Sequence, residues 1–408
     1  MIASASSIQK VTGFNIAAPK GFRAGGVHCG IKHKKLDLGL VVSDLPASAA
    51  AVYTTNQIQA APLFVTKESI SKEQKLQALI VNSGNANACT GAQGLADAYE
   101  MRSLIAQKLS ISEHMAAVAS TGVIGELLPM DAVRTGIRTV EAYASLKSSI
   151  DFSQSILTTD TVMKNTTYRM ALDDKEITIS GTAKGSGMIH PNMATMLGFI
   201  TTDANVEPAA LQGALKYAVD RTFNCITVDG DTSTNDMVLI LANGCAGNSQ
   251  LQPQHKEWST FIEALLLVCG DLGKMIAKDG EGATKLIEAV VTGTEDDEGA
   301  RKIAKTIVGS PLVKTAVFGC DANWGRVMAA VGYSGVPFNI GSLSICIGPV
   351  CVVKDGMPAD FSEQDVIDYL KHHEIKIEVN AGNGSGTGTA WGCDLTYDYV
   401  QINASYRT

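Results

Sequence analysis

The segment Lys184-Gly-Ser-Gly-Met-Ile-His-Pro-Asn-Met-Ala-Thr195 carries the residues with the most chemical potential in this chain. Two glycines precede a small residue, Ala194, and then a threonine that opens an apolar stretch. A threonine at a strand start is ordinarily a β-branched strand residue and nothing more. In this setting it also fits an autoprocessing site. The Thr195 hydroxyl would attack the carbonyl of Ala194, giving an N-to-O acyl shift and then hydrolysis. The freed Thr195 would hold both a nucleophile and a base, because an α-amino group with a pKa near ~7.7 accepts the hydroxyl proton at neutral pH. Small flanking residues let the backbone bend toward itself.

Other clusters are weaker taken singly. Ala119-Ser-Thr-Gly122 ends an apolar run, where an ordinary turn competes with a hydroxyl and an N–H aimed at an oxyanion. Val228 to Asp236 is rich in Asp, Thr and Asn. Counted from Asp229, position six is Thr234 and position twelve is Ile240, so the EF-hand template fails and a hydrogen-bonded turn is expected. Glu281 follows a helix and could meet a substrate ammonium or be an exposed carboxylate. Gly280 suits the residue just beyond a helix end. The run Gly382–Gly388 lacks the Lys-Ser/Thr ending of a phosphate loop and is expected as a flexible hairpin. His372 and His373 are expected at the surface at a helix end, and His190 has no visible partner acid.

These groups must be positioned by a mixed α and β scaffold. Strands are expected over Leu36–Val42, Ala50–Thr54, Ala78–Asn82, Ala116–Ala119, Met196–Thr201 and Met237–Leu241. Tyr168–Leu172 and Ile177–Ser180 predict a hairpin around Asp173-Asp174. Helical spacing marks Leu95–Leu109, a helix after Pro208, and Trp258–Ile276 with Ile262, Leu265, Cys269, Leu272 and Ile276 on one stripe. Asp131 predicts an N-cap for a helix reaching Ala144. Further strands are expected over Ile287–Val291, Val313–Phe318, Ser342–Ile347, Val350–Val353, Ile375–Val379 and Thr396–Ile402.

Composition bounds the function classes. A chain of 408 residues exceeds one ordinary core, so two or more core units are expected. Hydrophobic residues at 45% provide for them, and a net charge of −8 excludes a basic nucleic-acid footprint. Residues 1–194 hold 18 basic and 15 acidic groups, and the remainder 15 and 26, which fits a more solvated second part. Nine cysteines without a C-x-x-C pattern suit a reducing compartment better than disulfides or zinc. No apolar stretch approaches ~18 residues, and a secretory leader is not expected. Glycine is in excess, at 39 of 408 residues, in clusters that predict close backbone approaches.

Read together and in order, the motifs resemble the ornithine acetyltransferase family, the bifunctional glutamate N-acetyltransferases of arginine biosynthesis. The landmarks are Val81-Asn-Ser-Gly-Asn-Ala-Asn-Ala-Cys-Thr-Gly91, Ala119-Ser-Thr-Gly-Val-Ile-Gly125, Lys184 to Gly198, Thr227 to Asp236, Asp321-Ala-Asn-Trp-Gly-Arg326 and Asn403-Ala-Ser-Tyr-Arg-Thr408. A proline is common in the family where Ala322 stands, a departure confined to its loop. The resemblance implies an α/β fold, an N-terminal-nucleophile-like αββα sandwich with a further smaller α/β domain. It implies cleavage between Ala194 and Thr195 into an α chain (1–194) and a β chain (195–408), paired as α2β2, with roughly 290–408 contributing a second core unit.

In that family pattern Thr195 is nucleophile and acetyl carrier, and Thr121 and Gly122 form the oxyanion hole. Thr158 (with Thr159 and Thr161 as neighbours), Lys184, Thr195, Glu281, Asn403 and Thr408 match substrate-contact positions. The implied reaction moves acetyl from N-acetylornithine to glutamate in the cytoplasm, with no metal and no bound cofactor. Acetyl-CoA enters, if at all, as a second acetyl donor. The competing expectation is an amino-terminal-nucleophile amidohydrolase or aminopeptidase, in which water resolves the acyl-enzyme. A scaffold that kept the fold but lost the chemistry is a third, and the intact Ala194, Thr195 and oxyanion pair speak against it.

Overall fold

A computed structural model describes residues 8–13, 15–190 and 196–404. The chain divides into two units. The first comprises Met1–Gly185, Asn192–Asp220 and Thr232–Leu272, and the second Ser186–Pro191, Arg221–Asp231 and Gly273–Thr408.

The first unit carries β1 (Gln9–Lys10), β2 (Phe22–Val27), β3 (Leu38–Tyr53), α1 (Ala61–Glu73), β4 (Lys75–Asn85), α2 (Gly91–Leu109), β5 (Ala116–Val123), α3 (Met130–Thr139) and α4 (Leu146–Ser155). Then come β6 (Lys164–Leu172), β7 (Lys175–Lys184), β8 (Leu197–Thr202), α5 (Pro208–Arg221), β9 (Met237–Ala242) and α6 (Trp258–Lys278). The strands form one sheet in the order β1-β6-β7-β8-β9-β3-β4-β5, with β2 added beside β3. The two strands expected at Leu36–Val42 and Ala50–Thr54 are one strand, β3. Its first part pairs with β2 and β4, and its second part with β9. It bends at the exposed residues Asp44–Pro46, where the register against β4 shifts. Pro46 has no N–H for the ladder, which such a bulge accommodates.

Alternation along the strands sets the layers. Leu38, Leu40, Ala78, Ile80, Ala116 and Val118 pack with Met101 and Ile105 of α2 and with Val133 and Ile137 of α3. Their neighbours of opposite parity, Val41, Leu79, Val81, Ala117 and Ala119, share a cluster with Leu197, Phe199, Met237, Leu239 and Leu241 of β8 and β9. Each large apolar side chain removed from water in this inner layer stabilises the fold by about 2 kcal/mol. Beyond it, α6 lies so near β7 that a Cβ on Gly181 would meet Leu272 at 2.7 Å and Val268 at 2.8 Å. Helix, half-sheet, half-sheet and helix thus follow one another as in the αββα arrangement.

The β6–β7 hairpin turns on Asp173 and Asp174, both left-handed at φ +51° and +56°. Asp and Asn tolerate that region better than most residues. Asp131 is not the N-cap of α3. Pro129 holds that position and Asp131 sits in the first turn, where its charge favours the helix dipole. The helix also stops at Thr139, because Tyr143 pairs in extended form with Ala24.

The second unit carries β10 (Leu286–Thr294), α7 (Asp297–Gly309), α8 (Pro311–Phe318), α9 (Trp324–Gly332), β11 (Ser344–Ile347), β12 (Val350–Lys354), β13 (Met357–Pro358), α10 (Glu363–Leu370), β14 (Glu374–Asn380), β15 (Gly386–Cys393) and α11 (Tyr397–Ala404). Its sheet runs β13-β12-β11-β14-β10-β15, with β10 and β14 parallel. Ile287, Ala289, Val291, Ile345, Ile375, Ile377 and Val379 form its core with Ile303, Ile307 and Val366 from the helices.

Two strand expectations fail here. Val313–Phe318 is helical, because Ser310 accepts from Val313 N and Pro311 sits at the first helical position. All of Thr396–Ile402 but Thr396 falls in α11, where the alternating tyrosines line no sheet and Tyr397 is 84% exposed. The run Gly382–Gly388 is not a free hairpin either. A Cβ on Gly384 would meet Thr294 O at 1.9 Å, and one on Gly388 would meet Arg301 N of α7 at 2.4 Å. The glycines allow β15 to lie against the β10–α7 connection. Gly280 keeps an ordinary φ, and its small size matters instead, since a Cβ would be 2.7 Å from Cys393 Sγ.

Candidate active site

In the first unit, β4 and β5 run parallel and end together. Ser83 is in register with Thr121 and Gly84 with Gly122, after which a bulge forms at Asn85. Gly122 has φ +137°, and a Cβ there would lie 2.3 Å from the carbonyl carbon of Gly84. Only glycine fits that crossing. Side-chain amides fix the ends of these strands. Asn235 Nδ2 donates to Ala86 O at 2.6 Å and Ser120 O at 2.8 Å, and Asn85 Nδ2 donates to Leu127 O at 3.1 Å. Part of the Asp/Thr/Asn-rich turn is therefore the brace of the strand that carries Thr121.

Lys184, at the end of β7, donates from Nζ to Thr121 Oγ1 at 3.1 Å. Beside it, the fully buried Asp160 accepts from Lys164 Nζ and Gly185 N, each at 2.7 Å, and from Thr158 N at 3.0 Å. Burial pushes the Asp160 carboxyl up, but the ammonium groups of Lys184 and Lys164 outweigh it and hold it at about 2. Thr121, Thr158 and Lys184, three residues singled out from the sequence, are thus joined through one carboxylate that was not.

Lys32 adds a further cation. A Cβ on Gly84 would touch its side chain at 3.0 Å. Its Nζ donates to Leu157 O at 2.7 Å. Asp37 holds the loop that bears it, accepting from the backbone N–H groups of Cys29, Gly30, Ile31 and Lys32 at 2.7–3.2 Å. Burial, joined by the charge of Lys184, lowers Lys32 to about 8 against the pull of Asp37 and Asp160. Lysines 32, 164 and 184 against the two carboxylates Asp37 and Asp160 leave a positive excess of one, suited to a substrate carboxylate or a developing oxyanion. Lysine is charged below its pKa, so affinity for a carboxylate substrate is expected to fall as pH rises through about 8. A pH profile of KM checks this, and Lys32→Met should flatten that inflection.

Asp236 completes the group. Burial pushes its carboxyl well above the usual range, favouring the protonated form, although Ser233, Lys184 and the N–H of Met196 act the other way. Its Oδ2 has no hydrogen-bond partner among the described residues. Met196 directly follows Thr195 in the chain. Ala194, Thr195 and Thr408 themselves lie outside the described residues.

In the second unit, Glu281 is 7% exposed. Its N–H donates to Ser186 O at 3.2 Å, and its Oε2 accepts from Asn403 Nδ2 at 2.8 Å. A Cβ on Gly187 would lie 2.3 Å from the Glu281 carboxyl carbon, so that carboxylate can rest only on a glycine. Asn403 is aimed by α11, donating also to Tyr399 O at 3.0 Å. His190 Nδ1 lies 2.9 Å from Thr227 Oγ1, and burial, with Lys305 adding to it, lowers His190 to about 4. It is neutral at physiological pH.

Among the described residues, Asp173, His255 and Glu257 alone have the composition of a metal site, with ligand atoms within 4.8 Å. Hydrogen bonds within the chain already engage them, with Asp173 Oδ2 accepting from Ser249 N at 3.1 Å. His255 Nδ1 accepts from Glu257 N at 3.2 Å, and Asp173 N donates to Glu257 Oε2 at 2.8 Å. No helix among the described residues is long and apolar enough to cross a membrane.

Comparison with known proteins places these residues in context. The sequence profile of the ArgJ family matches residues 23–408. The arginine biosynthesis bifunctional protein ArgJ of Halalkalibacterium halodurans is 56% identical over 409 residues, covering all of both chains. That of Geobacillus stearothermophilus is 57% identical over 393 residues, 96% of each. Among solved structures, ornithine acetyltransferase from Mycobacterium tuberculosis, complexed with ornithine, is 38% identical over 46% of this chain and all of its own, with a TM-score of 0.43.

Proposed function

Because the chain belongs to the ArgJ family, we propose that it is a self-processing acetyltransferase of arginine biosynthesis, carrying acetyl from N-acetylornithine to glutamate on Thr195. The observation that supports this most is the Lys184–Thr121 contact at 3.1 Å, backed by Asp160. It places a cation at the strand end whose Thr121 hydroxyl and Gly122 N–H are assigned to the oxyanion.

Cleavage frees the Thr195 amine and leaves residues 1–194 and 195–408 associated as α2β2. The Thr195 hydroxyl then attacks the acetyl carbonyl of N-acetylornithine, its proton passing to the α-amine. Thr121 and Gly122 donate to the tetrahedral oxyanion. The amide C–N bond breaks, the α-ammonium returns the proton to the departing amine, and ornithine leaves. Glutamate's amine attacks the acetyl-Thr195 ester by the reverse path, giving N-acetylglutamate and free enzyme in a ping-pong scheme. Lys184 and Thr158 hold the substrate carboxylate side. Glu281, with Asn403 and Thr408, holds an amino-acid ammonium or polar head. No metal or resident cofactor takes part, and acetyl-CoA serves as a second acetyl donor to glutamate.

The test is an assay with N-acetylornithine and glutamate. Equal yields of ornithine and N-acetylglutamate are expected. Acetate in place of N-acetylglutamate would instead mark an amidohydrolase of the same architecture. Glutamate and acetyl-CoA without N-acetylornithine then test the second donor, with N-acetylglutamate as the expected product.

A further inference from the structure

Asp229, in the turn that resembles a calcium loop without being one, binds the chain's own backbone. Its Oδ2 accepts from Met188 N at 2.7 Å, and its Oδ1 from Ile189 N at 2.9 Å and Asp231 N at 3.2 Å. Burial, with the charge of Asp229 adding to it, pushes the Tyr399 hydroxyl up. Met188 is left-handed, at φ +56°. Consecutive N–H groups around a left-handed residue form an anion-holding concavity, and here Asp229 supplies the anion. The Met188 side chain is exposed, so its packing does not account for the strained backbone. The same stretch is fixed again one residue on. Val228 N and Thr227 Oγ1 both donate to Ile189 O, at 2.6 and 3.2 Å.

Ile189 stands five residues before Ala194. We propose that Asp229 is a positioning residue for self-cleavage between Ala194 and Thr195, acting by fixing the backbone of Met188 and Ile189 upstream of that junction. This rests on the reading that the chain cuts itself there. In that step Thr195 Oγ bonds to the Ala194 carbonyl carbon, the C–N bond breaks, and the hydroxyl proton moves to the freed nitrogen. Water then hydrolyses the ester, giving the Ala194 carboxylate and restoring the Thr195 hydroxyl. The rate of such an intramolecular attack follows the fraction of time the reacting atoms spend in attack geometry.

Asp229→Asn keeps the size but turns a donor toward N–H groups that need acceptors. Cleavage of the full chain, followed by gel after cell-free synthesis, is expected to slow at least tenfold. Adding Met188→Gly to that variant should recover about fivefold, because glycine takes φ +56° without strain. Cleavage of Asp229→Asn at the wild-type rate would overturn the proposal. So would slow cleavage that Met188→Gly does not improve, since that is the result for a residue that merely holds the fold. A wild-type chain that stays uncut would fail differently, removing the self-cleavage reading itself.

Discussion

Replacing Thr195 with alanine is expected to leave a single chain of 408 residues where the wild type gives pieces of 194 and 214, and to lower acetyl transfer by about 10⁴-fold or more. One side chain is asked for two reactions, so one substitution removes both. Without the hydroxyl no N-to-O shift begins. Without the shift the α-amine that serves as base stays locked in a peptide bond. Thr195→Ser keeps both groups and is expected to cleave and to transfer acetyl, more slowly, since serine lacks the methyl that restricts χ1. Denaturing gels and a coupled ornithine assay check both variants. Cleavage of the alanine variant at this junction would refute the role given to Thr195.

The second large effect is expected at Asp160. Asp160→Ala removes a carboxylate that both Lys164 and Lys184 face, so two buried ammonium groups each lose a counter-charge. Breaking a buried pair in this way costs about 3–5 kcal/mol, read as a lower urea midpoint at an unchanged m-value. The loss should exceed stability, because Gly185 N and Thr158 N also rest on this carboxylate. Small displacements of a positioned group cost about 10² in rate, and kcat/KM is expected to fall by that order in the surviving folded fraction. The pH sign is fixed by the direction of the shift. Asp160 titrates at about 2 in the folded chain, below its ordinary carboxylate value of ~3.9, so its contribution is present above pH ~4 and is lost as pH falls toward 2. Asp160→Ala should therefore show a flatter loss of stability over that window than the wild type. A variant as stable as wild type, with unchanged kcat/KM, would show that Asp160 is not the brace of Lys184.

Much of this was legible because the informative residues are local. The Asp173-Asp174 turn, the helix stripe of Trp258–Ile276 and the strands expected over Ala78–Asn82 and Ala116–Ala119 are set by short-range spacing. What escaped was set by distant parts of the chain. Asp160 owes its role to Lys164 and Lys184, and Lys32 to Asp37 and Gly84, with no periodicity linking them. Short apolar runs misled as well. Val313–Phe318 has strand-like composition, yet Ser310-Pro311 begins a helix, and the cap outranks the composition. The tyrosines at 397 and 399 alternate as in a strand, but no sheet edge takes them. The glycine run at 382–388 was legible only as flexibility. Its cause is steric, since α7 and the end of β10 lie where side chains would otherwise stand.

The central claim is that Thr195 carries the acetyl group between two amino-acid substrates. Intact-mass measurement of the 195–408 piece, after incubation with N-acetylornithine and no glutamate, tests it most directly. The mass should rise by one acetyl group, located on Thr195 by fragmentation, and return on adding glutamate as N-acetylglutamate appears. Transfer proceeding with no acetyl adduct on that piece, or an adduct on any other residue, would contradict it.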